Sequence, residues 1–152
     1  MATKNSVNLQ KAIDNLSIQD VYLKSSQAEC SEDFDPKRTE HTELLVQQMH
    51  TVRRSEVIQT NEDELILKVY VRMGTRWVLP VEGQDPEIKA FVEADFIAEY
   101  AMAELLETEA VDEFSLKNAS FHVWPYWREF LSSQCERLRL PRLVLPAVQF
   151  NR

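Results

Sequence analysis

Between positions 88 and 100 apolar and polar residues alternate. Ile88, Ala90, Val92, Ala94, Phe96, Ala98 and Tyr100 fall on one side, and Lys89, Glu93, Asp95 and Glu99 on the other. A period of two sends successive side chains to opposite faces of a strand, so this is a half-buried strand, with Phe91 and Ile97 as apolar exceptions on its polar side. The same period runs through 65–73, where Leu65, Leu67, Val69, Val71 and Met73 oppose Lys68 and Arg72. Asn61-Glu62-Asp63 just before it supplies the turn chemistry of a hairpin. Two weaker strands precede these. Positions 18–28 alternate at first and lose their apolar side by Ser25; 43–58 is apolar at both ends with Arg53-Arg54 between, and reads as long and partly exposed. The link 74–86 carries Trp77 and two prolines and is expected to finish one strand before turning. The charged run 29–40, with Pro36, reads as a loop. Val7, Leu9, Ala12, Ile13 and Leu16 predict a short helix at the start.

Beyond position 116 the period changes. Trp124, Trp127, Leu131, Cys135 and Leu138 lie three, four or seven apart and share one stripe of a helix, while Val123, Tyr126 and Phe130 form a second apolar sector. Only Glu129, Ser132, Ser133, Glu136 and Arg137 fill the remaining arc. A helix wet on so narrow an arc must be covered from two sides. One cover is the chain's own sheet; the other is expected to be a second copy of the chain. Pro125 cannot donate to the Phe121 carbonyl, so a kink or a fresh start is expected there. Pro141 and Pro146 end helical structure. The acid run Glu104, Glu107, Glu109, Asp112 and Glu113 reads as a solvated connector leading into a helix N-terminus. The expected organisation is one domain over 1–152: a flexible segment or short helix to 15, a sheet over 16–103, a main helix over 116–139 and an extended tail over 140–152. Strands in sequence followed by a helix imply class α+β, an antiparallel sheet with the helix packed on one face.

Composition narrows the functions available. At 152 residues, 44% apolar and 28% charged, the chain fits one soluble globular domain. Its net charge of −8 is uneven: residues 1–115 carry 11 basic and 23 acidic side chains, residues 116–152 six and two. An acidic body repels nucleic acid. The two glycines, Gly74 and Gly83, leave no room for a phosphate-cradling loop. No apolar run is long enough for a signal peptide or a membrane span, and Cys30 and Cys135 suggest no disulfide framework, so the cytoplasm is the expected compartment. His41, His50 and His122 have no metal-ligand spacing, and Ser132, Ser133 and Cys135 have no partner motif, so neither an enzyme nor a cofactor is expected. What exceeds expectation is apolar surface: Trp77, Phe91 and Ile97 on the polar sheet face, the second helix sector, and Leu143, Leu145, Val148 and Phe150 in the tail. Surface of that kind forms an oligomer interface or a groove for another polypeptide.

The residues then match a known family. Trp124-Pro125-Tyr126-Trp127-Arg128-Glu129, followed by Pro141, Leu143 and Leu145 and closed by Val148 and Phe150, resembles the C-terminal pattern of the SecB chaperones; Ile18-Gln19-Asp20-Val21-Tyr22-Leu23-Lys24 is similar to their opening strand. The resemblance spans about residues 16–150, with firm motifs only at its two ends. It implies a four-stranded antiparallel sheet with a long C-terminal helix and assembly as a homotetramer, a dimer of dimers. It also implies an ATP-independent holdase that binds unfolded polypeptides in support of protein export, handing them to the SecA motor. Trp77, Leu143, Leu145 and Phe150 are then expected to line the client groove, and Trp124, Tyr126, Trp127, Phe130 and Leu131 to form the oligomer interface. Three departures from the export type point toward the solitary or toxin–antitoxin-associated SecB-like branch. The chain stops at Arg152, before that type's second helix and acidic tail; Ser25 stands where it carries an acid; and Phe96-Ile97-Ala98-Glu99-Tyr100 replaces its Gly-Gly-x-Phe segment. A dedicated chaperone of one antitoxin, and a small enzyme on the same scaffold, stand as the alternative readings.

Overall fold

The alternating stretches pair into a four-stranded antiparallel sheet. The computed structural model describes residues 4–40, 43–141, 143 and 145. Its elements are α1 (Lys4–Asn15), β1 (Leu16–Cys30), β2 (Leu45–Gln59), β3 (Leu65–Leu79), β4 (Glu87–Met102), α2 (Thr108–Phe114) and α3 (Ser120–Leu138), with a π-turn over Ser115–Ala119 joining α2 to α3. The strand order is β1-β4-β3-β2, so β1 and β2 are the two edges. The chain must therefore cross from one edge to the other between β1 and β2, and residues 31–40 begin that crossing. They are pinned by Phe34, which is buried, and by the Ser31 amide donating to the Lys89 carbonyl at 2.8 Å.

Strand pairing converts the period of two into a dry face and a wet one. Leu67, Val69, Val71, Met73 and Trp77 of β3 join Ala90, Val92, Ala94, Phe96, Ala98 and Tyr100 of β4 in one core beneath the helices. The third strand runs to Leu79, past the predicted end at 73, because Trp77 continues the inward series. The turn before it has the expected chemistry. Asp63 adopts a left-handed φ of 63°, which a short polar side chain tolerates, and the Thr60 hydroxyl accepts from the Glu64 amide at 3.1 Å.

The helical region departs from expectation at two points. Most of the acid run is not a connector: Glu109, Asp112 and Glu113 lie in α2, whose Ala110, Val111 and Phe114 are buried. Helical structure therefore begins at Thr108 rather than near 116. Pro125 does not interrupt α3, which runs through it; the irregular turn lies earlier, at Ser115–Ala119. Pro125 is on the exposed side of the helix, where its ring faces solvent rather than the core. The helix ends in a Schellman-type motif. Arg139 takes φ 63°, its amide donates to the Glu136 carbonyl at 3.3 Å, and the amide of buried Leu140 donates to the Cys135 carbonyl at 2.9 Å.

Candidate polypeptide-binding surface

α3 packs against β4, β1 and β3, and its inner stripe is the one the sequence period picks out: Trp124, Trp127, Leu131 and Cys135 are buried. Trp124, Trp127 and Leu131, expected at an oligomer interface, thus have their surface covered within a single chain, because the sheet's dry face needs them. Of the five residues expected there, Tyr126 is the one left widely open, at 49% exposure. Phe130 is half-buried, edge-on to Phe96 at 6.2 Å between centroids and stacked with Trp127. Tyr126 lies one turn before Phe130 on the same side of the helix. Phe96 pairs in register with Leu23 of the edge strand β1, and Leu23 and Ile18, both paired with inward-facing residues of β4, remain exposed at 43% and 45%. One flank of the helix layer is therefore an uncovered apolar strip beside an open strand edge.

The other flank lies where the crossing segment meets the end of α3. Phe34, Leu140 and Leu145 are buried and Leu143 packs partly against the same core. A cleft of about 620 Å³ opens beside Leu140, lined also by Pro36, Lys37, Ser132, Glu136 and Arg139. Trp77 requires a correction. It lies on the helix-packed face, not the polar one, and is 1% exposed, because its register partner Ala90 belongs to the inward series. Phe150, together with Val148 and His41, lies outside the described residues. Phe34 escaped sequence reasoning altogether; a lone aromatic in a charged run was the one signal of it.

The sheet's outer face is closed by a ladder of polar contacts. The Tyr22 hydroxyl donates to Glu99 at 2.7 Å, and Lys68 stands 3.5 Å from the same carboxylate. The Tyr70 hydroxyl donates to Glu56 at 2.7 Å, and the Arg54 guanidinium lies 3.8 Å from the Tyr70 ring centre. Arg72 donates twice to Asp95, at 2.8 and 3.0 Å, and these bonds hold the Asp95 carboxyl below the usual carboxylate range. Ile97, apolar on this face, is buried between its register partners Tyr22 and Tyr70.

Little here is suited to bond-making chemistry. Burial pushes the Cys135 thiol up to about 11, with the Leu143 amide partly offsetting it, and burial also raises Cys30. Both are the reverse of an activated thiol. His122 is bonded through Nδ1 to the Tyr100 hydroxyl at 2.7 Å, and burial lowers its pKa. Among the described residues no three His, Cys, Asp or Glu side chains converge as metal ligands. No described helix is long and apolar enough to cross a membrane.

A β1-β4-β3-β2 antiparallel sheet with a long C-terminal helix across one face is the SecB-like fold, and this chain has it. Among solved structures it is similar to the Mycobacterium tuberculosis Rv1957 SecB-like chaperone, solved in complex with a ChAD peptide from the Rv1956 HigA1 antitoxin. The TM-score is 0.69 at 18% identity, over 96% of this chain and 99% of that one. The likeness is one of fold. A protein of unknown function from Streptococcus agalactiae aligns at a TM-score of 0.40 and 9% identity, over 86% of this chain and 96% of that one, too weakly to carry an argument. No family model matches the chain, and neither does any curated protein.

Proposed function

We propose that this protein is a chaperone that holds non-native polypeptide without using a nucleotide. The observation that carries the reading is the near full-length likeness in fold to a SecB-like chaperone solved with a peptide bound. It is supported by the two flanks that α3 leaves open. In this reading extended clients lie along the flank of the crossing segment and tail, with Leu143 and Leu145 at its wall and Trp77 as internal support. Copies of the chain associate through the β1 flank, where Ile18, Leu23, Tyr126 and Phe130 await cover. A client burying about 1,000 Å² of apolar surface gains roughly 25 kcal/mol gross. Most of that offsets the ordering of a flexible chain, leaving moderate affinity and exchange.

Of the finer readings, a dedicated antitoxin partner has the better support, since the similar chaperone was solved with an antitoxin peptide. Hand-over to an export motor draws on no comparable observation. The test is light scattering as a chemically denatured protein is diluted into buffer without ATP. A stoichiometric amount of this chain should suppress aggregation, and Leu143→Ser should weaken that suppression while native mass stays unchanged. Full aggregation in excess chaperone refutes the holdase reading. Titration with a panel of denatured proteins then separates a general holdase from a dedicated one, which would saturate with a single partner and bind the rest poorly.

A further inference from the structure

The outer face of the sheet is mostly closed by its polar ladder, but at one end it opens into a groove of about 690 Å³. Gln47 and Met49 of β2, Gly74 and Arg76 of β3, and Ile88 and Phe91 of β4 line it. Its floor is Gly74. That residue has no left-handed φ, and a Cβ there would meet only the flexible end of Met49, at 3.1 Å, before anything else. The backbone therefore does not demand glycine. What the missing side chain does is give the flexible end of Met49 room to lie against the sheet, leaving a low floor between Met49 and Phe91 over which another chain can approach once that end swings aside.

The groove adjoins β2, an edge strand of 15 residues that is exposed along most of its length. One side of its backbone is unpaired within the sheet, which is a template for a further strand. From Leu45 to Ser55 there is no acid, in a chain of net charge −8. The bulge between Val52 and Arg54 turns both adjacent arginines to the outer face: Arg54 covers the Tyr70 ring, and the charge of Arg53 acts on Asp95. Arg76 donates to Gln47 at 2.8 Å. Among the described residues neither Arg53 nor Arg76 has a carboxylate within ion-pair distance, although Glu93 lies in the groove and is held 3.8 Å from Arg72.

We infer that this end of the outer face docks an extended, acidic–apolar polypeptide strand. The strand adds to β2 above the bulge, seats one apolar side chain over Gly74, and directs carboxylates toward Arg53 and Arg76. A second copy pairing β2 against β2 is disfavoured as occupant, because it would set arginines beside arginines. This surface lies on the opposite side of the sheet from the client flank and goes beyond the holdase reading.

The test is fluorescence anisotropy of the full chain with a labelled peptide of about ten residues, apolar at alternate positions with glutamate between, beside an otherwise identical lysine peptide. The glutamate peptide should bind about tenfold more tightly than the lysine one, and Arg53→Glu with Arg76→Glu should erase or invert that preference. Gly74→Val fills the floor with a residue that strands favour, so it should keep its thermal midpoint and lose about tenfold in affinity. Aggregation suppression, measured in parallel, should survive Gly74→Val. Equal binding of the two peptides, affinity untouched by Gly74→Val, or affinity abolished instead by Leu143→Ser would overturn the inference. A fall in native mass on Gly74→Val would also overturn it, giving the face to a second copy of the chain.

Discussion

Trp127 and Tyr126 are adjacent in the chain and opposite in role, so replacing each by alanine tests how α3 divides its surface. Trp127 is 1% exposed, against the sheet. Removing a buried tryptophan costs the transfer energy of the lost atoms and of the cavity left behind, about 3–5 kcal/mol. A domain's whole stability is only about 5–15 kcal/mol. With a urea dependence of about 2 kcal/mol per molar, the midpoint of Trp127→Ala should drop by about 2 M. Tyr126 has half its surface in water, and its loss should shift the protomer's own stability by no more than about 0.5 kcal/mol. Its removal should instead lower the native mass, since it belongs to the β1 flank proposed for self-association. Urea unfolding followed by tryptophan fluorescence, at two protein concentrations about tenfold apart, separates folding from assembly, because only the assembled fraction depends on concentration. Equal midpoint shifts in the two variants, or a Trp127→Ala protein as stable as the parent, would refute the division of faces.

Other outcomes follow from single contacts. Tyr100→Phe removes the hydroxyl hydrogen-bonded to His122 Nδ1, leaving a half-buried ring nitrogen without that partner, and should cost about 1–3 kcal/mol in urea unfolding. Burial holds His122 below its ordinary 6.5, so the unfolded chain takes up a proton that the folded protein resists. The stability present above the unfolded value is therefore lost as pH falls through the folded one, and His122→Gln should flatten the decline in midpoint as pH falls below about 7. Asp95, its pKa held down by Arg72, follows the carboxylate sign: its contribution is present above the unfolded value and lost as pH falls below it. Asp95→Asn should remove that part of the acid sensitivity in a thermal-shift series. Arg139→Gly relieves a left-handed backbone at the end of α3 and should raise stability by about 1 kcal/mol by the same measurement.

Much of this protein is decided by local pattern. A period of two over 65–73 and 88–100 is enough to specify two central strands and which side of each is dry, because the backbone alone sends alternate side chains apart. The helical stripe of Trp124, Trp127, Leu131 and Cys135 is equally legible, since 3.6 residues per turn needs no knowledge of neighbours. What the stripe packs against is a tertiary matter. The sheet covers it within one chain, so Tyr126, part of Phe130 and the β1 edge stay exposed, where the resemblance implied an interface of all five residues. Trp77 shows the same limit. Its position in a proline-bounded link hid the inward parity that pairing with Ala90 makes plain. Phe34 is buried only because the chain must cross from one edge of the sheet to the other, and the groove over Gly74 exists only because Met49, Phe91 and Arg76 arrive there from three strands. Periodicity is written residue by residue; faces, flanks and grooves depend on which strands become neighbours, and only the folded chain sets that order.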